Sequence, residues 1–156
     1  PPFDNVHARR ALAFATDQKA LVEQLGAGEE IPVDTSPYEQ NSPVWGGLAP
    51  DQTNYPLYDS AKAQEQLDLY KQDMVAAGTP VDKLSFKLSG TATLDDLEVM
   101  QTLAAQWATL GIKADITSIK KEALIGIQVG GEFQAVISRN YSFPDPDSNY
   151  QFWSSQ

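Results

Sequence analysis

Apolar positions along the chain follow two periods, and the places where one gives way to the other predict its elements. Asp4 or Asn5 is positioned to cap a helix through Ala8–Ala15, with Phe3 as a hydrophobic staple, and Asp17 to cap a short helix over Gln18–Leu25 that Gly26 ends. Asp59 or Ser60 then opens a helix to about Ala77, with Ala63, Leu67, Tyr70, Met74 and Ala77 at steps of three or four and Gly78 as its C-cap. The period drops to two where Leu84, Phe86 and Leu88 alternate with Ser85, Lys87 and Ser89, the pattern of a half-buried strand. Thr93 and Asp96 have the spacing of a capping box and start a helix with Leu97, Met100, Leu103, Ala104, Trp107 and Leu110 on one face, ended by Gly111. Ile112, Ala114 and Ile116 form a second strand. Leu84 to Ser118 is thus a βαβ unit, whose strands should be parallel and whose crossover should be right-handed. A short helix over Lys121–Val129, a third strand through Phe133, Ala135 and Ile137, and a last helix capped by Asp147 complete an α/β layer architecture.

Between Glu29 and Tyr58 the periodicity disappears. Pro32, Pro37, Pro43, Pro50 and Pro56 recur there among Tyr38, Trp45, Tyr55 and Tyr58, a long loop whose aromatics predict wrapping over another element. At 156 residues the chain is the size of one domain, 1–156. Its 21 acidic against 11 basic residues give a net charge of -10, which repels phosphate backbones and removes nucleic acid as a partner. Cysteine is absent, so disulfides and thiolate chemistry are excluded. The apolar run Ala11–Ala15 after Arg9-Arg10 is too short for a signal h-region, and the abrupt start Pro1-Pro2-Phe3-Asp4 is that expected of an excised piece.

Candidate chemistry is sparse. His7 is the lone histidine and lacks a second metal-ligating partner. Asp95 and Asp96 lie in the first turn of a helix, where the macrodipole favours carboxylates. Asp145 and Asp147 flank Pro146 in a turn, where accepting backbone N–H bonds is the simpler role. Gly46-Gly47 and Gly130-Gly131 match no phosphate-cradling motif. No catalytic set, no metal site and no cofactor site emerges, so the chain is not expected to be an enzyme. Binding remains, through the loop aromatics and through Tyr141, Phe143, Tyr150, Phe152 and Trp153. The segment Arg139–Asp147 leaves the C-terminal end of a predicted parallel strand, where open α/β sheets hold ligands.

Four stretches carry a family likeness: Pro2-Phe3-Asp4-Asn5-Val6 running into Arg9–Asp17; Tyr58-Asp59-Ser60-Ala61-Lys62-Ala63; Gln106-Trp107-Ala108-Thr109-Leu110-Gly111-Ile112; and Pro144-Asp145-Pro146-Asp147. In this order they resemble the family 5 extracellular solute-binding proteins of ABC transporters, the peptide- and nickel-binding type. The resemblance implies that the chain is a single lobe of a type II periplasmic-binding-protein-like clamshell. That lobe would close with a missing partner lobe on a small solute or peptide, in the periplasm or outside the cell. The fragment would be monomeric, and the whole receptor would dock on an ABC permease in the membrane.

Peptide-binding relatives read approximately Trp-x-x-Asp before the Pro-Asp-Pro turn, and their aspartate pairs with the peptide's amino terminus. Here the matching positions are Arg139 and Ser142, so the attraction for an ammonium group is gone and a cation stands ready for a carboxylate or phosphate. The expected ligand-binding residues are Arg139, Asn140, Tyr141 and Ser142, with Trp45 from the loop. The competing reading is a self-standing α/β protein-interaction domain using the aromatic loop.

Overall fold

Caps decide where the early helices begin. In a computed structural model, which describes residues 1–26 and 55–138, Asn5 is the cap of the first helix. Its side chain accepts the N–H groups of His7 at 2.7 Å and Ala8 at 3.2 Å, and helix α1 runs Val6–Ala15. Asp17 accepts the Ala20 N–H at 3.0 Å and opens α2, Gln18–Leu25. Asp59 accepts the Lys62 N–H at 3.0 Å and opens α3, Ser60–Ala76. Each oxygen satisfies a main-chain donor that the first turn leaves without a helical acceptor. Ala8, Ala11 and Ala63 are all fully buried where α1 and α3 pack, and such small side chains let two helix backbones approach closely. His7 lies half-buried in the same seam, with Nδ1 2.8 Å from Gln66 Oε1, rather than on the open surface.

The sheet is parallel, as the βαβ pattern requires. Strand β1, Ser85–Thr91, leads through helix α4, Leu94–Ala108, to β2, Lys113–Ile119. Gly111 makes the turn out of α4 at φ 75°, a left-handed conformation open to a residue without Cβ. A 3-10 turn at Lys121–Ala123 and a short helix α5, Leu124–Gly130, precede β3, Ala135–Val136. The order is β2-β1-β3, with both neighbours parallel to the central strand; Ser85 pairs with Lys113 and Leu88 with Ala135.

Alternation sorts β1 as its sequence suggests: Phe86, Leu88 and Gly90 are buried, whereas Ser85 and Lys87 are exposed. Leu84, Leu88 and Met100 form the fully buried centre of the core. Beside them Phe86 meets Phe3 edge-on at 4.8 Å and Trp107 at 5.6 Å between ring centroids.

A polar stitch ties α4 to the corner between α1 and α2. Gln106 uses both ends of its amide on the main chain of Asp17: its Oε1 accepts the Asp17 N–H at 3.1 Å and its Nε2 donates to the Asp17 carbonyl at 3.2 Å. The buried indole N–H of Trp107 donates to Thr16 Oγ1 at 3.0 Å, and that hydroxyl donates to the Leu12 carbonyl at 2.7 Å. The Asp59 N–H adds a bond to the Phe14 carbonyl at 2.9 Å, which anchors the start of α3 to the same corner.

Three expectations are altered. β3 covers two residues rather than the span from Phe133 to Ile137, and Phe133 is 41% exposed. Ile116 is 38% exposed, on a strand with a neighbour on only one side among the described residues. The helix expected over Lys121–Val129 begins as a 3-10 turn. The loop from Glu29 onward, apart from its last residues Tyr55–Tyr58, and the helix after Asp147 lie outside the described residues.

Two outcomes follow from this packing. Trp107→Phe and Thr16→Val should each lower stability by about 1–3 kcal/mol, and the double variant by about 1 kcal/mol less than their sum, read from urea unfolding. The Lys62 backbone N–H bond is the largest effect on the Asp59 carboxyl; desolvation, second in size, opposes it, and with the Lys62 ammonium adding to the lowering the carboxyl lies below its ordinary 3.8. A depressed folded-state value stabilises the fold above about pH 4 and loses that contribution as the pH falls through it. The melting temperature of Asp59→Asn, which keeps a capping oxygen, should therefore fall less between pH 6 and pH 3 than that of the native chain.

Candidate functional site

Parallel strands deliver their C-terminal ends to one edge of a sheet. With the order β2-β1-β3, the chain leaves β1 toward β2 and then crosses back to β3, so the strand order reverses between β1 and β3. In open α/β sheets this reversal opens a crevice beyond the strand ends, the usual place for a ligand. Here it is bounded by Thr91 at the end of β1, by Thr93 and Leu94 where α4 begins, and by Ile137 and Ser138 after β3.

The β1 side is held by a hydroxyl–carboxylate cluster. Thr93 caps α4, its Oγ1 accepting the Asp96 N–H at 3.3 Å. The Asp96 carboxylate then accepts a hydrogen bond from the Thr91 hydroxyl, and the Thr91 and Thr93 hydroxyl oxygens stand 3.3 Å apart. Asp96 thus ties the strand end to the helix start, a link the capping spacing alone did not reveal. With its proton engaged, Thr91 has only acceptor capacity left. Leu94, at the first position of α4, is 84% exposed.

The β3 side is set by close packing. The Ile137 N–H donates to the Ser89 carbonyl at 2.7 Å. A Cβ built on Gly90 would lie 2.9 Å from Met100 Sδ and 3.6 Å from Ile137 Cβ. Gly90 therefore lets Met100 of α4 approach β1 closely, while Ile137 stands at an ordinary contact distance. Below the crevice, Gln134 accepts the Lys87 N–H at 2.7 Å and donates to the Pro1 carbonyl at 2.8 Å.

Hydroxyls, carboxylates and the amide donors of a helix start are a binding inventory. Among the described residues no group of His, Asp and Glu is arranged to hold a metal ion. Arg139, Asn140, Tyr141, Ser142 and Trp45, the expected ligand residues, all lie outside the described residues. The structure places the strand that precedes Arg139 beside β1, with Ser138 the last described residue of that stretch. Thr91, Thr93 and Leu94 escaped the sequence reading as crevice residues, although the strand-to-helix junction of a βαβ unit is the signal that marks them.

With fold and crevice in place, the comparisons with known proteins point one way. The structure resembles a peptide-binding protein of a peptide ABC transporter, with a TM-score of 0.72 at 23% identity over 94% of this chain and 65% of that one. This is the fold of the periplasmic binding proteins. The model for bacterial extracellular solute-binding proteins, family 5 Middle, matches residues 1–156, and the chain belongs to that family. Di/tripeptide-binding protein 1 of Pseudomonas aeruginosa is 28% identical over 144 residues, 87% of this chain and 24% of the relative. Heme-binding protein A of Haemophilus influenzae is 28% identical over 127 residues, 73% of this chain and 19% of the relative. The chain thus spans about a quarter or less of the length of these curated relatives. Both are named for the solute they bind, not for a reaction.

The crevice wall yields a packing test. Gly90→Ala should cost about 1–3 kcal/mol by overpacking against the fully buried Met100. In the Met100→Ala background the same change should cost less, and thermal unfolding of the four variants measures the difference.

Proposed function

We propose that this chain is one lobe of an exported solute-binding protein that delivers a small solute to an ABC permease. The match of the family model along residues 1–156 carries this reading, and the β1–β3 crevice supports it. The ligand lies beyond the C-terminal ends of β1 and β3. The residues assigned to hold it are Arg139, Asn140, Tyr141 and Ser142, with Trp45 as a further candidate. Closure follows from contacts that the solute makes with this lobe and its partner lobe at once, since a ligand shifts a conformational equilibrium only by its differential affinity for the two states.

The chemistry at positions 139 and 142 favours a solute that presents an anionic group. A guanidinium offers a planar fork of donors to a carboxylate or phosphate, whereas the serine hydroxyl offers an ammonium group no countercharge. Relatives named for dipeptides and for heme make a family in which the solute varies on a common frame.

Mass spectrometry of the full-length receptor, purified without denaturation, should reveal a co-purifying solute with a carboxylate or phosphate. Calorimetry should then show Arg139→Ala weakening its binding by at least about tenfold, the order expected when a charge-assisted hydrogen bond is lost. The 156-residue lobe alone should bind it far more weakly than the whole receptor. Equal affinity of lobe and receptor would refute binding between two lobes.

A further inference from the structure

Strand β3 is only two residues long, yet it leads directly into the residues proposed to hold the solute. In a parallel ladder the acceptors on one strand recur every second residue. With Leu88 opposite Ala135 and Ser89 opposite Val136, the Lys87 N–H would next meet the main-chain carbonyl of Phe133. It meets the side-chain carbonyl of Gln134 instead, at 2.7 Å. The other end of the same amide donates to the Pro1 carbonyl at 2.8 Å, and Phe3, two residues further on, stacks edge-on against Phe86 of β1. One side chain therefore links three segments: the start of this sequence, the central strand and the base of β3.

We propose that Gln134 is a positioning residue that pins the register of β3 against β1, and so fixes where the chain leaves the sheet toward the crevice. Slippage by one residue would turn every side chain of a strand to the opposite face. So short a strand resists slippage poorly by its own ladder. On its crevice side β3 is followed by the bond from the Ile137 N–H to the Ser89 carbonyl; on the other side the Gln134 amide replaces the missing ladder step. Of the two functions of that amide, the acceptor for the Lys87 N–H is the one that replaces the ladder step. A carboxylate retains the acceptor for Lys87 but cannot donate to Pro1, and a thioether of the same length supplies neither the strong acceptor nor the donor.

The functional consequence rests on reading the β1–β3 crevice as the ligand side, whereas the pin is tested without any ligand. Amide hydrogen exchange of the full-length protein should show Gln134→Met speeding exchange at Lys87 and Ile137 by at least about tenfold, with Met100 and Leu103 in α4 unchanged. Gln134→Glu should restore protection at both Lys87 and Ile137 to near the native rate, because the acceptor is kept. An unchanged rate at Ile137 in Gln134→Met would overturn the proposal. So would acceleration spread evenly through α4, which would mark a general loss of stability, or a failure of Gln134→Glu to restore Ile137. None of these results depends on the identity or location of the solute, so the pin and the ligand reading stand or fall separately.

Discussion

The described fold depends on how the break between α1 and α2 is satisfied. Where two helices meet at a corner, main-chain groups lose their helical partners, and leaving them buried without replacements is costly. Asp17 presents one N–H and one carbonyl there, and Gln106 answers both with a single amide. A carboxylate could accept but not donate, and an ammonium could donate but not accept, so the site selects an amide of this length. Next to it Trp107 buries its indole against Phe86 and passes its N–H to Thr16. The crossover helix is thereby held between the sheet and the α1–α2 corner.

That arrangement explains what several residues of the family-like stretches do. Thr16-Asp17, Asp59 and Gln106-Trp107 belong to three of the stretches through which the sequence resembles family 5. Each of these residues caps a helix or joins two elements within the described fold. A family likeness carried by packing devices leaves the solute free to change. Relatives named for such different solutes as di/tripeptides and heme are consistent with that division of labour.

The sheet imposes the second constraint. β1 is the only described strand with a neighbour on each side, and its inward residues shorten from Phe86 through Leu88 to Gly90 along the chain. The taper brings Met100 close at the crevice end, where a Cβ on residue 90 would lie only 2.9 Å from its Sδ. Thr91 then turns its hydroxyl to Asp96, joining the strand end to the start of α4. The result is a rim of hydroxyls, a carboxylate and a helix start at the crevice end of β1.

Local signals were legible in the sequence because the forces behind them act over one or two turns. The side chains of Asn5, Asp17, Asp59 and Thr93 each bond to a main-chain N–H two or three residues ahead, and the alternation of β1 follows from the pleat. The parallel βαβ unit was legible for the same reason, since a strand, a helix and a strand joined by short links have few ways to pack. The residues expected to hold the ligand rested instead on likeness to relatives, and they fall outside the described residues. Tertiary structure alone decided which partners meet across long separations. Gln106 finds Asp17 from 89 residues away, and Gln134 finds Lys87 from 47 away. It also decided that β3 is short, because a side-chain amide, indistinguishable in sequence from any exposed glutamine, takes the place of a main-chain carbonyl. Periodicity records which face of an element is buried; only the assembled fold determines what that face is buried against, and which polar groups must then find each other.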